Sequence, residues 1–429
     1  MRDVLFIVYY LPPMGSSGVQ RPLKFLKYLP TFGWNPVVLA PEPGAYHTYD
    51  ASLLQEFEAL TPETYRVNAR TPFHTASNLV SMLDKLPDKI KKGLRSLTSI
   101  FMLPDNKKGW IEPALQQARD IIKEKNIQAI FSTAPPYSNH LIAARLKDEF
   151  DIPVVMDFRD DWLNSHLIHY ATAFHRNRMA RMEKQCLTRA DVVLAINEAM
   201  LNSLESRTSL KNQTTFEVLP QGFDPDDFEK NNTASIQTEP DSLNLLYSGI
   251  FYHENQPDHF LKAVRRVMDR HPEITGKMKL HFQGGLDNRH QSLIEELGLK
   301  DDVKDYGYQP HLIAVENLKK ADVLWMQANF RKNNEQVTTS KLYEYVGSRK
   351  PILGLVYKGE AQRLLQQYNA SFIAPPDDCG QIEETLWTMF KKWKNDEMPE
   401  PDQEIISLYN RKYLTSRLSE LFDNLVIIK

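Results

Sequence analysis

Short apolar segments alternate with longer amphipathic segments along most of this 429-residue chain. In the first half, the apolar segments predict strands at 4–10, 36–40, 129–132, 154–157 and 192–196. Helical patterns lie between them, at 21–29, 112–124, 139–150 and 174–189. Strands that are apolar at nearly every position and alternate with helices are typical of a parallel sheet with helices on both faces. The first half therefore predicts a doubly wound α/β domain.

A change of composition at 223–242 separates this half from a second α/β series. The stretch is rich in Asp, Asn, Pro and Thr and nearly free of aliphatic residues, which predicts an interdomain linker. Beyond it, strand patterns at 244–248, 278–283, 303–306, 323–326 and 352–356 alternate with helical patterns at 258–270, 291–297 and 313–321. Apolar residues with helical spacing at 403–428 predict a last helix that could complete either domain.

Charge and cysteine content narrow the classes of function. The net charge of −3 gives no overall attraction to nucleic acid. Two widely separated cysteines, Cys186 and Cys379, predict neither a disulfide framework nor a metal site, which fits a reducing cytoplasm. The apolar start at 4–11 lacks a small-residue cleavage site and predicts a buried strand, not a signal peptide.

Three hydroxyl residues, 338–340, precede a short amphipathic segment that contains Lys341 and Glu344. Thr and Ser are favoured where a helix begins, and a helix N-terminus attracts anions. Lys341 adds a positive charge in the first turn, and Glu344 lies one turn later on the same face. This arrangement suits a nucleotide-sugar, with N–H groups and a lysine for the diphosphate and a carboxylate for the ribose. An ordinary surface ion pair is the alternative.

A glycine-containing loop, 12–18, follows the first predicted strand and precedes a helix. Its glycines, Gly15 and Gly18, let the backbone approach a ligand closely, and Ser16 and Ser17 lie between them. Free N–H groups at such a turn favour an anion at the carboxyl edge of the sheet. The spacing is not that of a dinucleotide-binding motif, so no nicotinamide cofactor is predicted. A flexible loop without a ligand is the alternative.

Polar side chains are dense after the strand predicted at 154–157. Charges there are costly to hold in a core, so they predict the mouth of a cleft, where a carboxylate accepts a proton from an acceptor hydroxyl or orients a sugar. An Asp–Arg pair that caps the next segment is the alternative. His140, early in another helix, is a further ligand candidate, although a capping or surface role is commoner for such a residue. The residues of the cluster are Asp157, Arg159, Asp160, Asp161 and Trp162.

The segment 85–108 combines an apolar face with several lysines. A basic amphipathic segment of this kind can lie on an anionic membrane surface. It can equally pack on its own domain with a solvated lysine face. Contact with a membrane surface through 85–108 is therefore one of two predictions.

Taken together, these motifs resemble those of a family 4-type glycosyltransferase of the GT-B fold, over nearly the whole chain. The resemblance is carried by the 12–18 loop, by Ala-Asp-Val-Val-Leu-Ala-Ile-Asn-Glu at 190–198, by Leu-Pro-Gln-Gly-Phe-Asp-Pro-Asp-Asp-Phe at 219–228, by Tyr-Ser-Gly at 247–249, and by Lys-Leu-Tyr-Glu-Tyr at 341–345 with Gly347 and Pro351.

The resemblance implies two Rossmann-like domains that face a cleft. An acceptor-binding domain at 1–222 would be completed by the C-terminal helix, 403–429. A linker at 223–242 would lead to a nucleotide-sugar-binding domain at 243–402. The charge of the leaving group would be stabilised by fixed protein dipoles and charges, without a metal or another cofactor.

Individual roles also follow from the resemblance. Glu344 would bind the donor ribose, and Lys341 would face the diphosphate together with the N–H groups of 338–340, among them Thr339 and Ser340. Tyr308 would lie near the nucleobase, and the 12–18 loop and Gly249 would contact the donor. Asp160, with Arg159, is the predicted catalytic pair, and the predicted acceptor contacts are Asp157, Asp161, Trp162 and His140.

Three departures from the family pattern accompany these roles. Gln336 stands where many members have a second glutamate, with Glu335 one position off register. The basic pair usual after Gly249 is missing, so Arg331, with Lys332, is predicted to supply that charge. Arg159 stands near the position of a histidine in many members.

The predicted function is transfer of a sugar from a nucleotide diphosphate-sugar to a glycan or lipid-linked acceptor. By the resemblance, the reaction would retain the anomeric configuration and serve bacterial surface polysaccharide biosynthesis, in the cytoplasm or at the inner face of the cytoplasmic membrane. One alternative is a nucleotide-sugar epimerase or hydrolase, which would turn over the donor without an acceptor. A non-catalytic nucleotide-sugar-binding protein is the other.

Overall fold

The computed structural model describes residues 1–15, 17–44, 49–69, 103–164, 170, 172–208, 214–230, 233–251, 255–328 and 334–427. The side chains of Ser17 and Asn334 are not described. The chain forms two compact units, one made of Met1–Pro220 with Thr415–Lys429 and one made of Gln221–Leu414. No helix among the described residues is long and apolar enough to cross a membrane.

The described strands of the first unit form one parallel sheet in the order β3-β2-β1-β4-β5-β6-β7. The strand order reverses between β1 and β4, which is where such sheets bind ligands at their carboxyl edge. The strands are β1 Arg2–Ile7, β2 Trp34–Pro41, β3 Thr64–Val67, β4 Ile127–Ala134, β5 Val154–Phe158, β6 Val192–Ala195 and β7 Thr215–Val218. The helices are α1 Ser17–Tyr28, α2 Ala51–Leu60, α3 Ile111–Glu124, α4 Ser138–Phe150, α5 Ala173–Leu187 and α6 Glu198–Ser206.

In the second unit the described strands form a parallel sheet in the order β10-β9-β8-β11-β12-β13. Its strand order reverses between β8 and β11. The strands are β8 Leu243–Ser248, β9 Met278–Gln283, β10 Val303–Asp305, β11 Val323–Ala328, β12 Ile352–Val356 and β13 Ser371–Ala374. The helices are α7 Pro225–Glu229, α8 Asp258–Arg270, α9 Asn288–Glu296, α10 His311–Lys320, α11 Ser340–Ser348, α12 Glu360–Tyr368, α13 Cys379–Lys394 and α14 Gln403–Leu408.

The two sheets confirm the prediction of two doubly wound α/β domains. Their central strands are buried on both faces, because helices cover each side. Every residue of 4–7 in β1 and of 323–326 in β11 is fully buried. The apolar runs that predicted strands are therefore the runs that fill the two cores.

The segment predicted as a linker, 223–242, groups with the second unit. Ile236 is buried in the same core as Leu246, and the backbone N–H groups of Ser235 and Ile236 donate to Asn317 Oδ1, at 2.8 and 3.2 Å. Phe223 packs so closely on α11 that a Cβ added to Gly347 would lie 2.4 Å from its ring. The composition of this segment is that of a loop, but contacts of Phe223, Ser235 and Ile236 attach it to the second unit.

The predicted C-terminal helix, 403–429, is not continuous, and this prediction is wrong. It is broken between α14 and the last helix, α15 Arg411–Ile427. The backbone N–H of Phe223 donates to the carbonyl of Tyr409 at 3.0 Å, and the N–H of Arg411 donates to the carbonyl of Phe223 at 2.9 Å. Because these bonds use backbone groups that a continuous helix needs for itself, the helix ends and starts again.

The second part of α15 completes the first unit. Asp423 forms an ion pair with Arg2 and accepts a hydrogen bond from Trp34 Nε1 at 2.8 Å. Phe422 packs on the rings of Trp34 and Phe131, with centroids 5.1 and 6.4 Å away. The last helix thus covers the amino-terminal part of the first sheet.

A buried ion pair connects α1 with β5 in the first unit. Arg21 Nη2 lies 2.7 Å from Asp157 Oδ1, and the two side chains are 3% and 0% exposed. Arg21 also donates to the carbonyls of Leu219 and Pro220, and Thr133 Oγ1 donates to Asp157 Oδ2 at 2.7 Å. Both members of the pair therefore have further hydrogen-bond partners. Together these bonds hold α1, β4 and β5 in fixed positions relative to one another.

Replacement of Arg21 by methionine is expected to lower the free energy of unfolding by roughly 3–5 kcal/mol, because Asp157 is then left charged and buried without its partner. Urea unfolding followed by circular dichroism measures the change. Arg119→Met is the matched control, since it removes an arginine from a partly exposed pair with Glu149 at 2.7 Å and should cost at most about 1 kcal/mol. Equal losses in the two variants would contradict a special role for the buried pair.

Candidate active site

The first turn of α11 lies in the second unit, at the same edge as the ends of its parallel strands. Thr339, which precedes the helix, has extended backbone and does not cap it with its side chain. Its buried hydroxyl oxygen has no hydrogen-bond partner in the part of the chain that the structure describes. A helix N-terminus with uncapped N–H groups beside an unsatisfied hydroxyl is suited to an anion.

The ammonium of Lys341 lies over the end of β8. Its Nζ is 3.7 Å from the centroid of the Tyr247 ring, which is a cation–π contact. A Cβ added to Gly249 would lie 2.7 Å from the same Nζ. Gly249 also has φ of +132°, a conformation that favours glycine. Only a residue without a side chain therefore leaves room for the ammonium at this position.

Burial lowers the pKa of Lys341 to about 7, and the nearby carboxylate of Glu344 opposes this shift without cancelling it. The protein thus holds an ammonium whose charge is not fully compensated. An anion bound beside Lys341 would supply the missing negative charge and would favour the protonated form.

Tyr345 fixes α11 against the sheet. Its hydroxyl accepts a hydrogen bond from the backbone N–H of Ser248 at 2.8 Å and donates one to the carbonyl of Trp325 at 3.2 Å. These two partners lie on β8 and β11, the strands on either side of the reversal in strand order. The first turn of α11 is therefore held at the position where doubly wound sheets bind ligands.

The loops after β8, β9 and β10 pack on one another through their backbones. The N–H of Gly249 donates to the carbonyl of Gln283 at 2.7 Å, and the N–H of Gly284 donates to the carbonyl of Gly307 at 2.7 Å. A Cβ at Gly284 would lie 2.4 Å from the carbonyl oxygen of Gly249. Tyr308, which follows Gly307 in the chain, has a side chain that is 52% exposed. Backbone contacts thus link Tyr308 to the strand end that lies under Lys341.

A second unsatisfied polar atom lies at the end of β11. Gln327 is buried, and its Nε2 donates to the carbonyl of Gln256 at 2.8 Å. Its Oε1 has no hydrogen-bond partner among the described residues. The structure thus brings together, near the first turn of α11, the predicted donor residues Gly249, Thr339, Ser340, Lys341 and Glu344, with Tyr308 on the adjoining loop.

Several predicted residues lie outside the described part of the chain. They are Ser16, Arg331, Lys332 and residues 85–102 of the basic segment, and Ser17 is described by its backbone alone. Of the 12–18 loop, Gly15 lies against Asp50, where a Cβ would be 2.9 Å from the aspartate Cβ. The carbonyl of Gly18 accepts a hydrogen bond from Arg159.

Arg159 lies in the first unit and is buried. Its guanidinium donates to the carbonyls of Gly18, Ala134 and Pro135, at 2.7 Å for Gly18 and 3.3 Å for Ala134. The side chain that was predicted to be catalytic therefore uses its donors to hold the loop after β4 and the start of α1. In this structure Arg159 is a positioning residue.

Asp161 and Trp162, predicted as acceptor contacts, are also interior residues. Asp161 pairs with Arg207 at 2.8 Å, and Arg207 in turn pairs with Glu183 at 2.7 Å. Burial raises the pKa of Glu183 to about 7, although Arg207 opposes the shift. Trp162 is fully buried and stacks on Tyr137, with centroids 4.4 Å apart. The charged residues that follow β5 are therefore dense because Asp161 belongs to a buried ionic network with Arg207 and Glu183. They do not indicate the mouth of a cleft.

His140 is neither a capping nor a surface residue. It is fully buried, and its Nδ1 lies 2.8 Å from Ser132 Oγ. Burial lowers its pKa to about 3, so the ring is neutral. Asp157 is likewise buried, in its pair with Arg21. Of the polar residues predicted at this strand end, Asp160 is the one that is only partly buried, which keeps it as the candidate for acceptor contact.

One cluster at the same edge was missed by sequence reasoning. Asp105 accepts hydrogen bonds from the N–H and Oγ of Ser138, at 2.9 and 2.6 Å, and so caps α4 from a distant loop. Burial raises the pKa of Asp105, and burial together with this carboxylate raises the pKa of Tyr10. Lys107, which belonged to the predicted basic segment, lies with Nζ 5.2 Å from the Tyr9 ring. The cap joins residues far apart in sequence, so no local pattern indicates it.

Within the described residues, the structure brings together no group of three histidine, cysteine, aspartate or glutamate side chains that could hold a metal ion. The groups at the α11 site are instead suited to an organic anion, because they are N–H groups, a hydroxyl, an ammonium and a carboxylate.

The sequence model described as Glycosyltransferase Family 4 matches residues 23–227 of the chain. No curated protein sequence matches the chain.

Several solved structures are similar over nearly the whole chain. The sucrose-phosphate synthase of Thermosynechococcus elongatus has a TM-score of 0.62 at 13% identity, with 100% of both chains covered. A glycosyltransferase from Rickettsia africae ESF-5 has a TM-score of 0.62 at 14% identity, covering 99% of this chain and 98% of that one. A putative UDP-N-acetylglucosamine 2-epimerase from Listeria monocytogenes has a TM-score of 0.58 at 10% identity, covering 97% and 94%. These likenesses show the fold, and they confirm the predicted GT-B class.

Replacement of Lys341 by methionine is expected to raise the stability of the folded protein relative to wild type, and the gain is expected to be largest at low pH. The folded protein releases the Lys341 proton near pH 7, whereas the unfolded chain keeps it up to about pH 10. Because the unfolded state binds more protons between these values, wild type gains stability relative to K341M as pH rises from about 7 to about 10. Thermal midpoints of both proteins, measured across this range, test the expectation. A midpoint difference that does not change with pH would contradict the buried position of the ammonium.

Proposed function

We propose, from the premise that residues 23–227 belong to Glycosyltransferase Family 4 and that the chain has the GT-B fold, that it transfers a sugar from a nucleotide diphosphate-sugar to a glycan or lipid-linked acceptor. The prediction of a family 4-type glycosyltransferase is confirmed by the family match. The donor, the acceptor, the retention of anomeric configuration and a place in bacterial surface polysaccharide biosynthesis belong to the proposal.

The observation that carries the proposal is the incompletely compensated charge of Lys341 beside the uncapped start of α11. A diphosphate provides two negative groups, one for the helix N-terminus and one for the adjacent ammonium. Glu344 lies on the same face, one turn later, where its carboxylate can accept hydrogen bonds from ribose hydroxyls. Tyr308 offers an exposed ring on the adjoining loop for the base.

These groups would act mainly when the bond to the sugar breaks. Negative charge then grows on the diphosphate, and donors that are already in place stabilise it without having to reorient. Because Tyr345 holds α11 on β8 and β11, the N–H groups and Lys341 keep their positions as the charge develops. In the first unit, Asp160 would contact the acceptor or take the proton of its hydroxyl. Any membrane contact through 85–108 stays a prediction.

Nucleoside diphosphates are expected to raise the thermal midpoint of the protein, with one base preferred, because ligand that binds the native state stabilises it by mass action. The panel includes UDP, GDP, ADP and CDP. Glu344→Gln is expected to lower the affinity for the preferred nucleotide and to leave the midpoint of the free protein nearly unchanged. Glu384→Gln, an exposed glutamate of α13, is the matched control and should respond as wild type does. No response to any nucleotide would refute the donor site at α11.

Asp160→Asn is expected to lower the rate of sugar transfer by about 10²–10⁴-fold if the carboxylate takes the proton of the acceptor, with nucleotide binding unchanged. Transfer is followed by the release of nucleoside diphosphate in the presence of acceptor. Asp151→Asn removes the same charge from an exposed site in the same unit, 81% exposed, and serves as the control. Full activity in Asp160→Asn would exclude this residue from the reaction.

The same assays separate the second candidate function, which the likeness to the putative epimerase keeps in view. A fold of this kind supports more than one chemistry. An epimerase or hydrolase would convert the nucleotide-sugar at the same rate with and without acceptor. A transferase would release nucleoside diphosphate faster when the acceptor is added.

A further inference from the structure

The outer face of α5, in the first unit, carries a row of cations. Arg178, Arg181 and Lys184 are exposed and recur every three residues, so they lie along one side of the helix. Phe174 begins the same row, four residues before Arg178, and its side chain is 70% exposed. We call Phe174, Arg178, Arg181 and Lys184 the α5 face.

The cations of the α5 face differ from several arginines at the surface of the first unit, which are paired. Arg119, Arg145 and Arg189 each form an ion pair with a carboxylate, at 2.5–2.7 Å. None of the α5 cations forms an ion pair with a described residue. The segments outside the description that flank the helix in sequence, 165–169 and 171, contain no carboxylate either.

The carboxylate of α5 itself does not neutralise the face. Glu183 is buried on the opposite side of the helix and is bound by Arg207. That pair belongs to the network with Asp161 described above. The α5 face is therefore a row of like charges without a counter-charge among the described residues, and such a row attracts anions.

An exposed phenylalanine at the end of this row indicates what the partner is. A large aromatic side chain that is 70% exposed is stabilised by transfer into a less polar medium, and a bilayer offers that medium directly beside its anionic headgroups. A duplex nucleic acid would attract the arginines, but its bases are stacked in its interior and offer no comparable medium to the phenylalanine.

We propose that the α5 face docks the first unit on an anionic lipid bilayer. Arg178, Arg181 and Lys184 contact the headgroups, and Phe174 inserts at the level of the acyl boundary. This surface is separate in sequence from the basic segment at 85–108, and the proposal does not rest on the sugar transfer proposed above. It places the first unit against the surface that would present a lipid-linked acceptor.

Flotation of the full-length protein with lipid vesicles tests the proposal. Wild type is expected to bind vesicles that contain phosphatidylglycerol, to bind vesicles of phosphatidylcholine alone weakly, and to be released by salt. The double variant Arg178→Ala, Arg181→Ala is expected to bind the anionic vesicles about thirtyfold more weakly, from the loss of two charges near the surface. Phe174→Ser is expected to weaken binding in high salt, where the aromatic anchor contributes the larger share.

The double variant Arg119→Ala, Arg145→Ala is the matched control. It removes two arginines from paired surface sites of the same unit, so it changes the net charge equally and should bind vesicles as wild type does. All variants leave residues 85–108 intact. Nucleotide-induced stabilisation, measured on each variant, reports whether the second unit is unaffected.

Equal vesicle binding by the α5 variant and the control would overturn the proposal, as would the absence of any binding by wild type. Binding of a single-stranded oligonucleotide that is lost in the α5 variant, without vesicle binding, would also overturn it in favour of a nucleic-acid partner. Loss of vesicle binding with unchanged nucleotide stabilisation supports the docking surface, whatever the outcome of the transfer assays.

Discussion

The packing of the strand ends around the α11 site depends on the contact between the Lys341 ammonium and the end of β8. The ammonium lies 3.7 Å from the centroid of Tyr247 and occupies the space that a side chain at position 249 would need. The backbone of Gly284 packs closely against that of Gly249, and the N–H of Gly284 donates a hydrogen bond to the carbonyl of Gly307. Three successive strand ends can pack this closely because each has a glycine where it meets the next. The Tyr345 hydroxyl then ties the helix that carries Lys341 to β8 and β11, so the position of one cation is determined by the sheet itself.

The first unit uses charge at its strand ends in a different way. Arg21 and Arg159 direct their guanidinium groups to backbone carbonyls and, for Arg21, to Asp157. Loops at a sheet edge expose carbonyl groups that must find donors when they are buried. An arginine supplies several donors in one plane and is suited to this task. The charges that suggested a cleft mouth are therefore mostly structural, and Asp160 differs from its neighbours in being only partly buried.

Long, periodic segments were predictable from sequence, and short or distant ones were not. The strands β9 and β12 and the helix α8 have the predicted bounds, because continuous burial or a strong amphipathic period leaves little choice. The strands β3, β7 and β13 were not predicted, because their partly exposed residues give no continuous apolar run. The break in the C-terminal helix depends on backbone bonds to Phe223, and the cap of α4 comes from Asp105. Neither contact leaves a local signal, since each joins residues that are far apart in the chain. The helix α11 could be predicted as a candidate site because its hydroxyls, lysine and glutamate lie within one turn or two.

Uncompensated charge is the property that the α11 site and the α5 face share, and it distinguishes them from the buried ionic networks of the first unit. Arg207 carries two carboxylates, and Arg21 has a carboxylate and two carbonyls. The charges and hydrogen-bond donors of these two arginines are already satisfied, so a ligand would have to displace one of their partners to bind them. Lys341 is only partly balanced by Glu344, and the α5 cations have no ionic partner among the described residues. At the buried site the deficit appears as a lowered pKa, since desolvation disfavours the charge. At the exposed face water carries the charge, and the same deficit appears as a local positive field in a chain whose net charge is −3. Both deficits would be removed by a negative partner, a diphosphate in one case and a layer of anionic headgroups in the other.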